Sequence, residues 1–93
     1  MTPYETIAES IIQKQILVLG QMIALERAGR VKGLEIDGNG KVKRLLGNTI
    51  EILENLIGQY QELLGPAAIS FSKDAALPII KQNPGLALPR ALQ

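Results

Sequence analysis

The chain contains no cysteine, no histidine and no tryptophan, and its aromatic complement is two tyrosines and one phenylalanine. Without cysteine there is no disulfide staple. With histidine also missing, the side chains that dominate zinc, copper and haem ligation are absent, together with the thiol nucleophile and the imidazole base. These absences exclude most familiar catalytic constellations, so the expectation is a protein that is not an enzyme and holds no cofactor and no metal. Charge of one sign is lacking as well: ten basic residues against nine acidic ones leave +1, too little to draw the chain to nucleic acid or to a membrane by net field. Long hydrophobic runs are also missing. The most apolar window, Ile16 to Leu25, is interrupted by Gly20 and Gln21 and bounded by Lys14 and Glu26, short of the roughly 18 apolar residues a membrane span needs. The opening MTPYETIAES has no basic stretch ahead of its apolar residues; it predicts neither a secretory nor a mitochondrial leader, and a cytoplasmic location.

What is present is 93 residues, 46% of them apolar, with no repeat and no low-complexity run. That size implies one small helical domain, 1–93, with an irregular C-terminal strap at 84–93, and a monomer of marginal stability because a short chain buries only about 60–65% of its unfolded surface. Thr2-Pro3-Tyr4-Glu5 reads as a helix start: Thr2 as N-cap, Pro3 where its missing N–H costs nothing, and Glu5 completing a capping box. No strong breaker follows until Ala28-Gly29, which predicts one long helix of about 26 residues, roughly 39 Å.

At 100° per residue this helix carries Ile7, Ala8, Ile11, Ile12, Ile16, Val18, Leu19, Met22, Ile23 and Leu25 in one arc of about 180°, more apolar surface than so short a chain covers alone. A second copy is the natural cover. The expected dimer interface is Ile11, Ile12, Gln15, Ile16, Val18, Leu19, Met22, Ile23 and Leu25. Gln15, inside the arc, pairs with its symmetry mate or reaches water with its long side chain. Gly20, at the edge of the arc, either admits another backbone or weakens the helix by about 1 kcal/mol relative to alanine.

From Arg30 the period changes. Leu34 and Ile36, then Leu45, alternate with polar neighbours around Asp37-Gly38-Asn39-Gly40, whose dipeptides supply the positive φ of tight turns. A short β-hairpin, 32–37 with 41–45, follows, with Leu34, Ile36 and Leu45 facing the core. Asn48 caps a second helix whose Ile50, Ile52, Leu53, Leu56, Ile57, Tyr60, Leu63 and Leu64 form one face, closed by Gly65-Pro66. A third helix runs from Pro66 to about Leu77, rich in alanine; Pro78 kinks or restarts it, and it runs out by Asn83-Pro84-Gly85. Leu86, Leu88 and Leu92 make the tail a strap that docks on a surface, its own or a partner's. The fold class is thus mainly α, with α+β as the alternative: a long N-terminal helix, a short hairpin and two further helices in an intertwined dimer.

Motifs for chemistry are few. The Asp37 loop has oxygen donors at the first and third places of a calcium loop, but Lys41, Val42 and Asn48 stand where it needs a third donor, a glycine and a glutamate; turn formation accounts for the residues. No glycine-rich phosphate loop occurs. Ser70 and Ser72 near Lys73 lack a buried, oriented base, and the pairs Glu5/Glu9 and Glu51/Glu54 fall on polar helix faces. The one uneven feature is basic: Arg27, Arg30, Lys32, Lys41, Lys43 and Arg44 face only Glu26, Glu35 and Asp37 between residues 26 and 44. Of these, Arg30, Lys32, Lys41, Lys43 and Arg44 are the candidate nucleic-acid contacts, a reading disfavoured by the lack of stacking aromatics.

The order of helix, Val31-Lys32-Gly33-Leu34 into a strand, Asp37-Gly38 turn, second strand and helix resembles the opening of the roadblock/dynein light-chain interaction domains over about half of the chain. The strands are shorter than in that family and its later strands have no counterpart, so neither its fold nor any of its residues is transferred. The reading that remains is a non-catalytic homo-oligomerising or protein-interaction module, with a small nucleic-acid-associated protein as the alternative.

Overall fold

Local capping rules set the first element. In the computed structural model, which describes residues 1–93, Thr2 Oγ1 accepts from Glu5 N–H at 3.2 Å and Glu5 Oε1 accepts from Thr2 N–H at 2.8 Å. This capping box starts α1 (Pro3–Leu19). The reciprocal bond also holds the Glu5 carboxyl below its ordinary range, since it accepts from the Thr2 backbone. At Gly20 the backbone turns to φ 86, ψ 159, a region that is essentially glycine's alone. The chain resumes as α2 (Gln21–Ala28). The expected single helix is therefore two. The physical reason is long-range: the hairpin turn sits in the crook, and a Cβ on Gly40 would lie 3.0 Å from Ile12 and Gln13 of α1 and from Leu25 of α2. A straight rod of roughly 39 Å also exceeds the longest dimension of the molecule, 34 Å.

The hairpin pairs β1 (Leu34–Ile36) with β2 (Val42–Leu45), in the register Leu34 with Leu45, Glu35 with Arg44 and Ile36 with Val42. Lys43 has no partner and forms a bulge. Simple alternation puts Val42 and Leu45 on opposite faces; the extra residue returns Val42 to the core, where it is buried beside Leu34 while Ile36 and Leu45 are half-buried against it. The turn closes itself, with Asp37 Oδ1 accepting from Asn39 N–H at 2.8 Å and Lys41 N–H at 3.0 Å. These donors hold the Asp37 carboxyl below its usual range, the Lys41 amide most strongly.

Asn48 Oδ1 accepts from Glu51 N–H at 3.0 Å to cap α3 (Thr49–Leu64), which buries Ile52, Leu53, Leu56, Ile57 and Tyr60. Tyr60 is fully enclosed and its hydroxyl donates to Ala24 O at 2.8 Å, tying α3 to α2; burial pushes the phenol above its ordinary pKa. The last helix, α4 (Ala67–Gln82), lays Ala68, Ser72, Ala76 and Ile79 into the core and packs on α1 and α3. It continues through Pro78 as one helix and runs out at Gln82, just before the expected Asn83-Pro84-Gly85 stop. Pro78 and Asp74, whose carbonyl the missing N–H leaves free, both lie on the exposed side of α4, where water satisfies the carbonyl.

The tail folds back on its own chain. Tyr4 Oη donates to Ala87 O at 2.8 Å, Leu92 is buried, and Leu86, Leu88 and Ala91 pack on the core; Arg90–Leu92 forms one 3-10 turn. The strap thus covers α3 and α4 of its own copy. The architecture is mainly α, four helices with a two-stranded antiparallel hairpin, around one connected core of 18 buried apolar residues. No helix is long and apolar enough to cross a membrane.

Candidate functional site

The crook between α1 and α2 holds the hairpin by polar clasps. Glu9 Oε1 accepts from Val42 N–H at 2.9 Å, Gln13 Nε2 donates to Asn39 O at 2.8 Å, and Gln21 Nε2 donates to Gly38 O at 3.0 Å. Two backbone carbonyls of the turn, Gly38 O and Asn39 O, are thereby engaged within the chain. No cluster of three or more Asp and Glu side chains is close enough to hold a metal ion.

The outer side of the crook is apolar. Leu17 and Met22 are 84% and 86% exposed, and Val18 and Ile23 are exposed beside them. These four are half of the eight exposed large hydrophobic residues, and all lie within three positions of Gly20; the rest, Met1, Leu46, Leu63 and Leu77, are scattered along the chain. Ile16, Leu19 and Leu25 are half-buried behind them. Ser10, Lys14, Leu17 and Ala75 line a shallow depression between α1 and α4, beside which Lys14 Nζ stands 5.7 Å from the Phe71 ring.

Of the nine residues expected at a dimer interface, six remain on or near the surface: Ile16, Val18, Leu19, Met22, Ile23 and Leu25. Ile11, Ile12 and Gln15 are placed differently. They are fully buried in the chain's own core, because α4 and the hairpin cover the face that a lone helix leaves bare. Leu17 belongs to the exposed group and escaped the sequence reading, since at 100° steps it falls outside the main apolar arc. An isolated leucine on a polar face was the available signal.

Gln15 is fully buried, and its Oε1 and Nε2 have no hydrogen-bond partner within the chain. A buried amide without partners costs stability, and an apolar side chain of the same length removes that cost. Gln15→Met is expected to stabilise the fold by about 1 kcal/mol, raising Tm by roughly 4–8 °C; a thermal melt showing a lower Tm contradicts this.

The basic segment divides in two. Arg30 grips Glu26 through two bonds of 2.6 and 3.1 Å, which raises its pKa, and Arg44 reaches Glu35 at 2.8 Å. Arg27, half-buried, meets Glu62 at 3.1 Å. Lys32, Lys41 and Lys43 are exposed and stand in no ion pair. The structure thus brings the five candidate contacts to the hairpin and its flanks with two of them already neutralised.

The chain matches no known protein family, and comparison with curated proteins and with solved structures finds no similar chain.

Proposed function

We propose that the chain is a non-catalytic module that assembles with copies of itself, and presents itself to other proteins, through the apolar elbow around Gly20. The observation that carries this is the concentration of Leu17, Val18, Met22 and Ile23 at one bend. Scattered exposed leucines are ordinary on a soluble surface, whereas a contiguous apolar cluster marks a contact surface.

The double variant Leu17→Asp/Met22→Asp tests this. Both side chains project into solvent, so the fold is retained and the circular dichroism spectrum unchanged. Burying each such side chain contributes about 1.5–3 kcal/mol, so removing both lowers the association constant by at least about 100-fold. Light scattering behind a sizing column reads the result. Wild type and Lys41→Glu are expected to associate alike; equal masses for wild type and the double variant contradict the proposal.

Lys32, Lys41 and Lys43, free of carboxylate partners, favour a second reading, a weak contact with nucleic-acid phosphates. It predicts binding that falls steeply with salt and is lost in Lys41→Glu/Lys43→Glu/Arg44→Glu. Absence of any gel shift with duplex DNA or RNA in low salt removes it.

A further inference from the structure

We infer that two copies of this chain pair by exchanging α1, with α1 and α2 straightened through Gly20 into one continuous helix. This rests on the reading of the elbow as the surface where copies meet, and specifies how they meet.

The break is a single residue, and the helical ladder already spans part of it. Gly20 N–H donates to Ile16 O at 2.9 Å and Ala24 N–H donates to Gly20 O at 3.1 Å, both of which are bonds that an uninterrupted helix makes. The N–H groups of Gln21, Met22 and Ile23 donate to no backbone carbonyl and to no capping side chain. Straightening pairs them with Leu17 O, Val18 O and Leu19 O, which adds three ladder bonds and releases a backbone conformation only glycine tolerates. The flanking sequence supports that state, since QMIALERA holds no proline or glycine.

The bonds that dock α1 survive the exchange. Tyr4 to Ala87, Glu9 to Val42 and Gln13 to Asn39 each join α1 to a residue beyond the hinge, so each re-forms between copies with the same partner types. Ile7, Ala8, Ile11 and Ile12 are covered by the other copy's α4 and hairpin as they are now by their own. What the exchange adds lies at the hinge, where the two straightened helices run past each other. On a straight helix, at about 100° per residue, the exposed Leu17 and Ile23 lie within about 60° of Gly20 and face that crossing, so the second copy covers them, while Val18 and Met22 turn to the side of Ile11 and Leu25. Exchange of one element about a short hinge is a low-cost route to a symmetric dimer.

The test uses the lack of native cysteine. Ser10 and Ala75 line one depression between α1 and α4, and Ser10→Cys/Ala75→Cys changes little volume at either position. A short bismaleimide is added to the protein at tens of micromolar, and the product is run on a denaturing gel alongside light scattering of the untreated sample. Exchange predicts a dimer whose cross-links join two chains. A dimer whose cross-links all lie within one chain overturns the exchange and leaves the elbow contact standing; a monomer overturns both. Gly20→Ala, which favours the straight helix, is expected to raise the dimerisation constant at least about tenfold. Three glycines inserted after Gly20 relax the hinge and are expected to lower it several-fold. An unchanged or reversed order among these variants overturns the exchange.

Discussion

Gly33→Ala is expected to cost about 3–4 kcal/mol of stability, a large share of the roughly 5–14 kcal/mol available to a chain of this length. Gly33 has φ 88, and a Cβ built there lies 2.3 Å from Leu46 O and 3.0 Å from Ile52 Cδ1. The obstacle is backbone, so a rotamer change cannot relieve it. Gly33 O also accepts from Leu46 N–H at 2.7 Å, which fixes the start of β1 against the end of β2, two residues before the Asn48 cap. Moving Leu46 aside therefore loosens the hairpin and the first turn of α3 together. Urea unfolding reads the loss as a lower midpoint at unchanged slope. Gly38→Ala is the control: its Cβ meets nothing within 4 Å and its φ is not positive, so it is expected to fall within about 0.5 kcal/mol of wild type. Equal midpoints for the two variants contradict the packing described for Gly33.

Leu56→Ala is expected to cost about 3–5 kcal/mol. Leu56 is fully enclosed at the middle of the α3 face, between Leu53 and Tyr60. Truncation removes its transfer free energy and leaves a cavity that the Tyr60 hydroxyl, anchored on Ala24 O, prevents the neighbouring turn from filling. Leu63→Ala, seven residues along on the same helix but exposed, is expected to cost under about 0.5 kcal/mol. A difference of less than about 1 kcal/mol between the two, in the same unfolding series, contradicts the placement of the core on that face.

Features fixed by short-range chemistry are legible in the sequence. The Thr2–Glu5 box, the Asn48 cap, the Asp37-Gly38 turn and the α3 stripe each depend on residues within a few positions, and each is formed. The misreadings have the opposite character. One mid-helix glycine costs only about 1 kcal/mol, so the sequence around Gly20 cannot say whether the helix continues; the hairpin turn wedged between Ile12 and Leu25 decides it. Pro78 passes because of which side of α4 faces solvent, and the Lys43 bulge because Val42 gains burial beside Leu34. Both depend on neighbours remote in the chain.

The same remoteness explains the fate of the expected interface. A helical wheel shows how much apolar surface a helix carries without showing who covers it. Here α4 and the hairpin claim Ile11, Ile12 and Gln15, and the uncovered remainder is displaced to the elbow. Leu17 joins that remainder from the polar face of α1, where it is 84% exposed. The reading of a self-associating module therefore rests on a smaller surface than the sequence implied, centred on Gly20.

Light scattering behind a sizing column, across a concentration series reaching tens of micromolar, tests that claim most directly. The mass is expected to rise toward twice the 10.1 kDa of the single chain, with Leu17→Asp/Met22→Asp held at the single-chain value. A wild-type mass of 10.1 kDa at every concentration contradicts it.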